Sequence, residues 1–181
     1  MQGDHRPEGD FVSLSFYSPA QRPPNERQRQ NAVDACGVIT APPDAALHAV
    51  VTAAARRFGT PMAAVSIIDR DRQWFAARIG IDLPETSRAV SFCAHAILNP
   101  REPMVIENAE ADERFAGNPM VMSDPRVRFY AGIPILDGDG NALGALCVID
   151  SVPRSFDKLE RETLAELGRR AERAIGEMAE R

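Results

Sequence analysis

Lysine is almost missing from this chain of 181 residues: its 21 basic residues are twenty arginines and Lys158 alone. One lysine in a charged, helical setting leaves no candidate for Schiff-base chemistry or for a phosphate-cradling loop lysine. Cysteine is scarce as well. Cys36, Cys93 and Cys147 lie 57 and 54 residues apart with no CxxC pair, which argues against a disulfide framework and for a reducing compartment. No stretch approaches the roughly 18 apolar residues of a membrane span. The N-terminus carries Asp4, Glu8 and Asp10 in place of a secretory apolar core. Positive charge is not in excess either. With 26 acidic residues and a net charge of −5, there is no electrostatic footprint for nucleic acid or an anionic membrane. These absences describe a cytoplasmic protein with neither nucleic acid nor membrane as a partner. Its length suits one domain of roughly 120–150 residues plus tails.

What is present is patterned. Residues 1–30, with Pro7, Pro19, Pro23 and Pro24 among polar residues, read as a disordered or loosely packed arm. Phe11, Leu14, Phe16 and Tyr17 form one apolar island within it, suited either to docking a partner or to lying on the chain's own domain. Residues 31–181 then read as a single domain with flanking helices. A helical run is expected over 26–36, broken by Gly37 and Pro42-Pro43. Asp44 can cap a second helix, whose Leu47, Val50, Val51, Ala54 and Phe58 follow helical spacing and which Gly59 ends. Strands are expected at 62–68 and 73–79, joined by the polar turn Asp69–Arg72. Residues 80–90 read as a loop, 91–98 as a short helix capped by Ser91, and 103–108 as a strand. A helical turn at 112–115 and an irregular stretch at 117–127 follow. Two strands, 128–136 and 142–150, flank a turn whose Gly138 and Gly140 are both expected at positive φ. A helix over about 157–179 closes the chain. Hairpins interleaved with helices imply an α+β fold: an antiparallel sheet, terminal helices on one face, the 80–127 excursion on the other, and a pocket beneath that excursion.

The run FGTPMAAVSIIDRDRQWFAARIGIDLPETSRAVSFCAHAIL (58–98), RFYAGIPI (128–135) and GALCVID (144–150) resemble a GAF domain of the bacterial signalling type. The likeness extends over roughly residues 31–180. It implies a profilin-like and PAS-like fold, with a central six-stranded antiparallel sheet and helices on both faces. It also implies a regulatory module of bacterial signal transduction that binds a small molecule or a signalling protein without catalysing a reaction. Because no output domain follows the last helix, a stand-alone sensor is expected.

Several constellations invite chemistry. Cys93-Ala94-His95 holds a thiol and an imidazole, but residues i and i+2 of a helix do not face each other, and one CxH lacks the ligands of a closed zinc site. A buried free cysteine such as Cys147 is usually a small hydrophobe. The tandem Cys-His by which some GAF relatives attach a linear tetrapyrrole is absent. Another GAF branch reduces free methionine sulfoxide with cysteines, and a thiol-dependent redox enzyme of that type is the enzymatic alternative. Asp137-Gly-Asp139-Gly-Asn141 begins like a calcium loop, but Ala142 and Val148 stand where Gly and a bidentate Glu are required. Asp69 and Asp150 end strands, where a carboxylate can pair with Arg72 or Arg128 or cap a loop. Trp74 and Phe75 alternate to opposite faces, as do Phe129 and Tyr130. No catalytic residue, metal ligand or cofactor is therefore predicted. The candidate ligand contacts are Trp74, Phe92, Cys93, His95, Phe115, Tyr130 and Cys147, around an unidentified small molecule. In the last helix Leu164, Leu167, Ala171, Ala174 and Met178 form a heptad-like stripe, suited either to the domain's own core or to a homodimer through the terminal helices. A structural dimerisation module with no ligand is the third reading.

Overall fold

In the computed structural model, which describes residues 16–180, six strands form one antiparallel sheet in the order β3-β2-β1-β6-β5-β4. The chain first forms α1 (Glu26–Ala35) and α2 (Ala45–Phe58), then the hairpin β1 (Met62–Asp69) and β2 (Arg72–Ile79). Between the hairpins run β3 (Glu85–Ser87), α3 (Phe92–Ala96), β4 (Met104–Ile106) and α4 (Pro119–Met122). The second hairpin, β5 (Phe129–Leu136) and β6 (Ala142–Asp150), precedes α5 (Lys158–Ala179). Central strands β1 and β6 are covered on both faces. The fold is the α+β architecture expected, with a GAF-like sheet.

Local chemistry explains the regular elements. The Asp44 carboxylate accepts from the amides of Ala46 and Leu47, at 2.8 and 3.0 Å, and so caps α2. Gly59, at φ 61°, ends that helix in the left-handed region. Asp157 and Glu160 form a reciprocal capping box at the start of α5. The stripe on α5 is buried inside the domain: Leu164, Leu167, Ala171 and Ala174 face α2 and the sheet, with Met178 half-buried beside them. A dimer formed by α5 would have to use its other side.

The turns differ from expectation in detail. The first hairpin loop is only Arg70-Asp71, because Asp69 and Arg72 remain in the ladder, joined by a 2.9 Å ion pair. Arg70 takes φ 51°. In the second hairpin Gly140 alone has positive φ; Gly138 does not need it, since the Asp137 carboxylate accepts from the Asp139 and Asn141 amides. Residues 80–90 are not purely loop. They hold β3 and a 3-10 turn at Arg88–Val90, an exposed edge strand with no apolar alternation to announce it. The helical turn expected at 112–115 is preceded by a 3-10 turn, Ala109–Ala111. The irregular 117–127 stretch contains α4, capped by Asn118, with Pro119 at its first turn.

Within the segment read as an arm, Phe16 and Ser18 make backbone hydrogen bonds to Gly117 and Arg114. Phe11 and Leu14 lie outside the described residues. Among the described residues no helix is long and apolar enough to cross a membrane, and no cluster of His, Cys, Asp or Glu could hold a metal ion.

Candidate functional site

The site is built where strand alternation delivers unusual side chains to the face away from α2 and α5. Along β1 that face receives Ala64, Ser66 and Ile68; along β6 it receives Ala145 and Cys147. From β5 comes Tyr130, fully buried. Its ring lies flat along the strand over Gly132, where any Cβ would collide with the phenol. Gly132 pairs with Cys147 across the ladder, so the missing side chain brings the Tyr130 hydroxyl to the thiols. That hydroxyl donates to Cys93 Sγ at 3.2 Å.

The cover is held by side-chain hydrogen bonds. Ser91 Oγ accepts from the Ala94 amide to cap α3 and donates to Gln73 Oε1 at 2.6 Å. Gln73 in turn donates to Thr86 Oγ1 on β3, and Asn118 Nδ2 donates to the Val90 carbonyl. Arg88 reaches away from the pocket to the Glu26 carboxylate on α1 and to the Arg70 carbonyl. Beside it Arg29, 1% exposed, donates to the same carboxylate and to the Ile68 carbonyl of β1 at 2.7 Å. Burial pushes the Glu26 carboxyl up, but hydrogen bonds and charge from Arg29 and Arg88 outweigh this and bring it down to about 2.

Between sheet and cover lies a cavity of about 320 Å³. Cys93, Tyr130 and Cys147 form its inner end, Phe75 and Phe92 its walls, and among the described residues Asp82 and Asp124 are the only charged ones lining it. Larger hollows, of about 710 and 620 Å³, are open grooves on the opposite side, the first between α1, α5 and the 137–141 turn. Inside the cavity the neighbouring Cys147 thiol first, then the Ser66 and Tyr130 hydroxyls, hold the Cys93 thiol below its ordinary range against the opposing effect of burial. Cys147 is pushed well up by the neighbouring Cys93 thiol and by burial, and Tyr130 is pushed well up by burial beside the two thiols.

Of the residues singled out by sequence, Phe92, Cys93, Tyr130 and Cys147 meet at this cavity. Phe115 stands behind it, stacked on Phe92 with ring centres 4.0 Å apart. His95 packs edge-on against Phe115 and bonds through Nε2 to the Ser18 carbonyl at 2.9 Å, outside the cavity. Burial lowers its imidazole pKa. Trp74 projects to the other face, into the groove beside the 42–48 segment, while its neighbour Phe75 enters the cavity. Ser66, Gln73 and Gly132 were not anticipated. The signal for Ser66 was visible, a lone hydroxyl inside the apolar run MAAVSII. Asp69 pairs with Arg70 and Arg72, and Asp150 with Arg154, as structural anchors of their turns.

Comparisons with known proteins agree with this architecture. In sequence, a cyclic di-GMP phosphodiesterase of Pseudomonas aeruginosa is 45% identical over 132 residues, 73% of this chain. The match spans only 22% of that enzyme's length. Among solved structures, the GAF domain of an Acinetobacter phosphoenolpyruvate-protein phosphotransferase superposes with a TM-score of 0.60 at 15% identity, over 83% of this chain and 94% of its own. The free methionine-R-sulfoxide reductase of Neisseria meningitidis, solved with its substrate, superposes with a TM-score of 0.60 at 17% identity, over 91% and 96%. At such identities the likeness is one of fold. The family model described as GAF domain matches residues 42–175, and with the sheet order and the cover just described the chain belongs to the GAF domain family.

Proposed function

We propose that this GAF domain is a sensory module of signal transduction, non-catalytic in itself, whose ligand is a small, mostly apolar molecule without negative charge. The composition of the cavity wall carries this reading. Among the described residues no lysine, arginine or histidine lines it, and the two charged ones are the carboxylates of Asp82 and Asp124. An anionic ligand buried there would lose its water without gaining a charged donor, which costs several kcal/mol or more. Cyclic di-GMP, with two phosphates, is therefore a poor occupant, although the similar Pseudomonas protein is a phosphodiesterase of that molecule. The domain's part beside such an enzyme would be regulatory.

Ligand binding would act through the cover. The residues that close the cavity run through Ser91 and Gln73 to the 3-10 turn, and Arg88 ties that turn to Glu26 on α1. A ligand that favours one packing of the cover would bias α1 by the same free energy. The cavity argues against a purely structural module, whose interior would be filled.

Native mass spectrometry of freshly purified protein tests the reading. A retained small mass that Val127→Phe abolishes by filling the cavity supports it. A saturating ligand at about one hundred times its Kd would add about 2.7 kcal/mol, a rise of roughly 5–10 °C in Tm. A bare polypeptide mass, with no Tm shift across a panel of uncharged apolar compounds, overturns it. The paired thiols favour one second reading, a thiol-dependent reductase. Turnover of methionine sulfoxide that Cys93→Ser and Cys147→Ser both abolish would replace the sensory reading with that one.

A further inference from the structure

Two cysteines from different elements share one cavity wall. Cys93 lies on the short helix of the cover and Cys147 on a central strand, and the Tyr130 hydroxyl that bonds Cys93 lies over Gly132, the ladder partner of Cys147. Each is nearly inaccessible from outside, 2% and 1% exposed, yet both line the cavity. Access to them is therefore by way of that cavity. Cys36, the third cysteine, lies at the end of α1 in the opposite core and bonds to the Val33 carbonyl. The arrangement around the pair is asymmetric. The phenol of Tyr130 donates to Cys93 at 3.2 Å, while no such hydroxyl donor reaches Cys147 among the described residues, and the nearby Ser66 hydroxyl turns to the Ala145 carbonyl at 3.5 Å. A donor aimed at one sulfur favours its thiolate, and the thiolate is the nucleophile. Cys93 is thus fitted to attack and Cys147 to follow.

We propose that Cys93 and Cys147 form a two-thiol oxidation site whose oxidant is a small hydroperoxide entering the cavity and whose product is a Cys93–Cys147 disulfide. In the first step Cys93 sulfur attacks one peroxide oxygen and the O–O bond breaks. The departing oxygen takes the thiol proton and leaves as water, or as an alcohol from an alkyl hydroperoxide, while Cys93 becomes a sulfenic acid. In the second step Cys147 sulfur attacks Cys93 sulfur, the S–O bond breaks, and the hydroxyl leaves with the Cys147 proton as a second water. Two thiols lose two electrons and two hydrogens in all, and the peroxide accepts them. The product covalently joins the cover to the centre of the sheet, fixing α3 against β6. This chemistry goes beyond the ligand proposed above and stands whether or not such a ligand is found, since peroxide and an apolar occupant are read by separate measurements.

The test is titration of the full chain with hydrogen peroxide, followed by intact mass and non-reducing peptide mapping. The expected result is loss of two hydrogens and a linked pair of peptides bearing Cys93 and Cys147, restored by a reductant. Cys36→Ser should behave as the parent. Cys147→Ser should stop at a sulfenic acid on Cys93, trapped by dimedone. Tyr130→Phe, which removes a hydrogen bond to the developing thiolate, should slow the oxidation by about tenfold. Should Cys147→Ser fail to fold, the peptide map of the parent chain decides alone. Cys93 and Cys147 remaining as thiols, a linkage through Cys36, or overoxidation of Cys93 without a linkage would each overturn the proposal.

Discussion

Beneath α2 and α5 the sheet buries aliphatic and aromatic hydrocarbon in strict alternation: Ala63, Val65 and Ile67 from β1, and Phe129, Ala131, Ile133 and Ile135 from β5. Beneath the cover β1, β6 and β5 bury Ser66, Cys147 and Tyr130. One face meets two regular helices, whose buried stripes pack against it, and its hollows are open grooves at the margins. The other meets short helices and turns, which lack a repeating apolar stripe and depend on capping side chains to satisfy their backbone. Such a cover cannot follow the sheet closely, and the cavity is what remains between them. Regular helical packing and the cavity are thereby divided between the two sides of a single layer.

That division can be broken by experiment, and Leu164→Ala is the severest test. Leu164 is fully buried in the helical face, and truncation there should cost about 2–5 kcal/mol in urea unfolding. The rate at which peroxide oxidises the cavity thiols should not change in the folded protein. A change in that rate would mean the faces are not separable.

Glu26 sharpens the comparison because it joins the two sides. Its folded-state pKa of about 2 lies below the ordinary 4.5, so its contribution is present above about pH 4.5 and is lost as pH falls toward 2. Allowing for solvent screening, that contribution is about 2–3 kcal/mol. Glu26→Gln should flatten the acid limb of the stability profile. It should also raise hydrogen exchange in residues 88–96 more than in α5. Equal changes in both would show that the tie is merely global.

The smallest expected effect is at Gly132. Gly132→Ala places a methyl against the Tyr130 hydroxyl, an overpacking that costs about 1–3 kcal/mol in thermal or urea unfolding. Its larger consequence should be chemical. With the phenol displaced, Cys93 oxidation should slow as it does in Tyr130→Phe, and unaltered kinetics would show that the phenol does not tune the thiol.

The helical face was legible in the sequence because its physics is periodic. Leu47, Val50, Val51, Ala54 and Phe58, the caps at Asp44 and Asp157, and the α5 stripe all stand at the spacings helices require. The cover was legible only in outline. Glu85–Ser87 pairs through one edge and shows no alternation, so β3 could not be read from composition. Trp74 and Phe75 were correctly split between faces, but parity alone does not say which face is hollow. Arg29 resembles any exposed helical arginine until tertiary structure surrounds it with the carbonyls of Ile68 and Ala142. The convergence of Cys93 and Cys147, 54 residues apart, depends on sheet order, and nothing local in either segment encodes it.

The outermost strands of the sheet, β3 and β4, are only three residues long each. A ladder that short gives an incoming strand little to hydrogen-bond to, and Glu85 places a charge at one of the two margins. Edge-to-edge fusion of two copies, and the fibrillar growth that such fusion seeds, are disfavoured by this trimming. The broader surfaces are those of the helices and of the cover that walls the cavity.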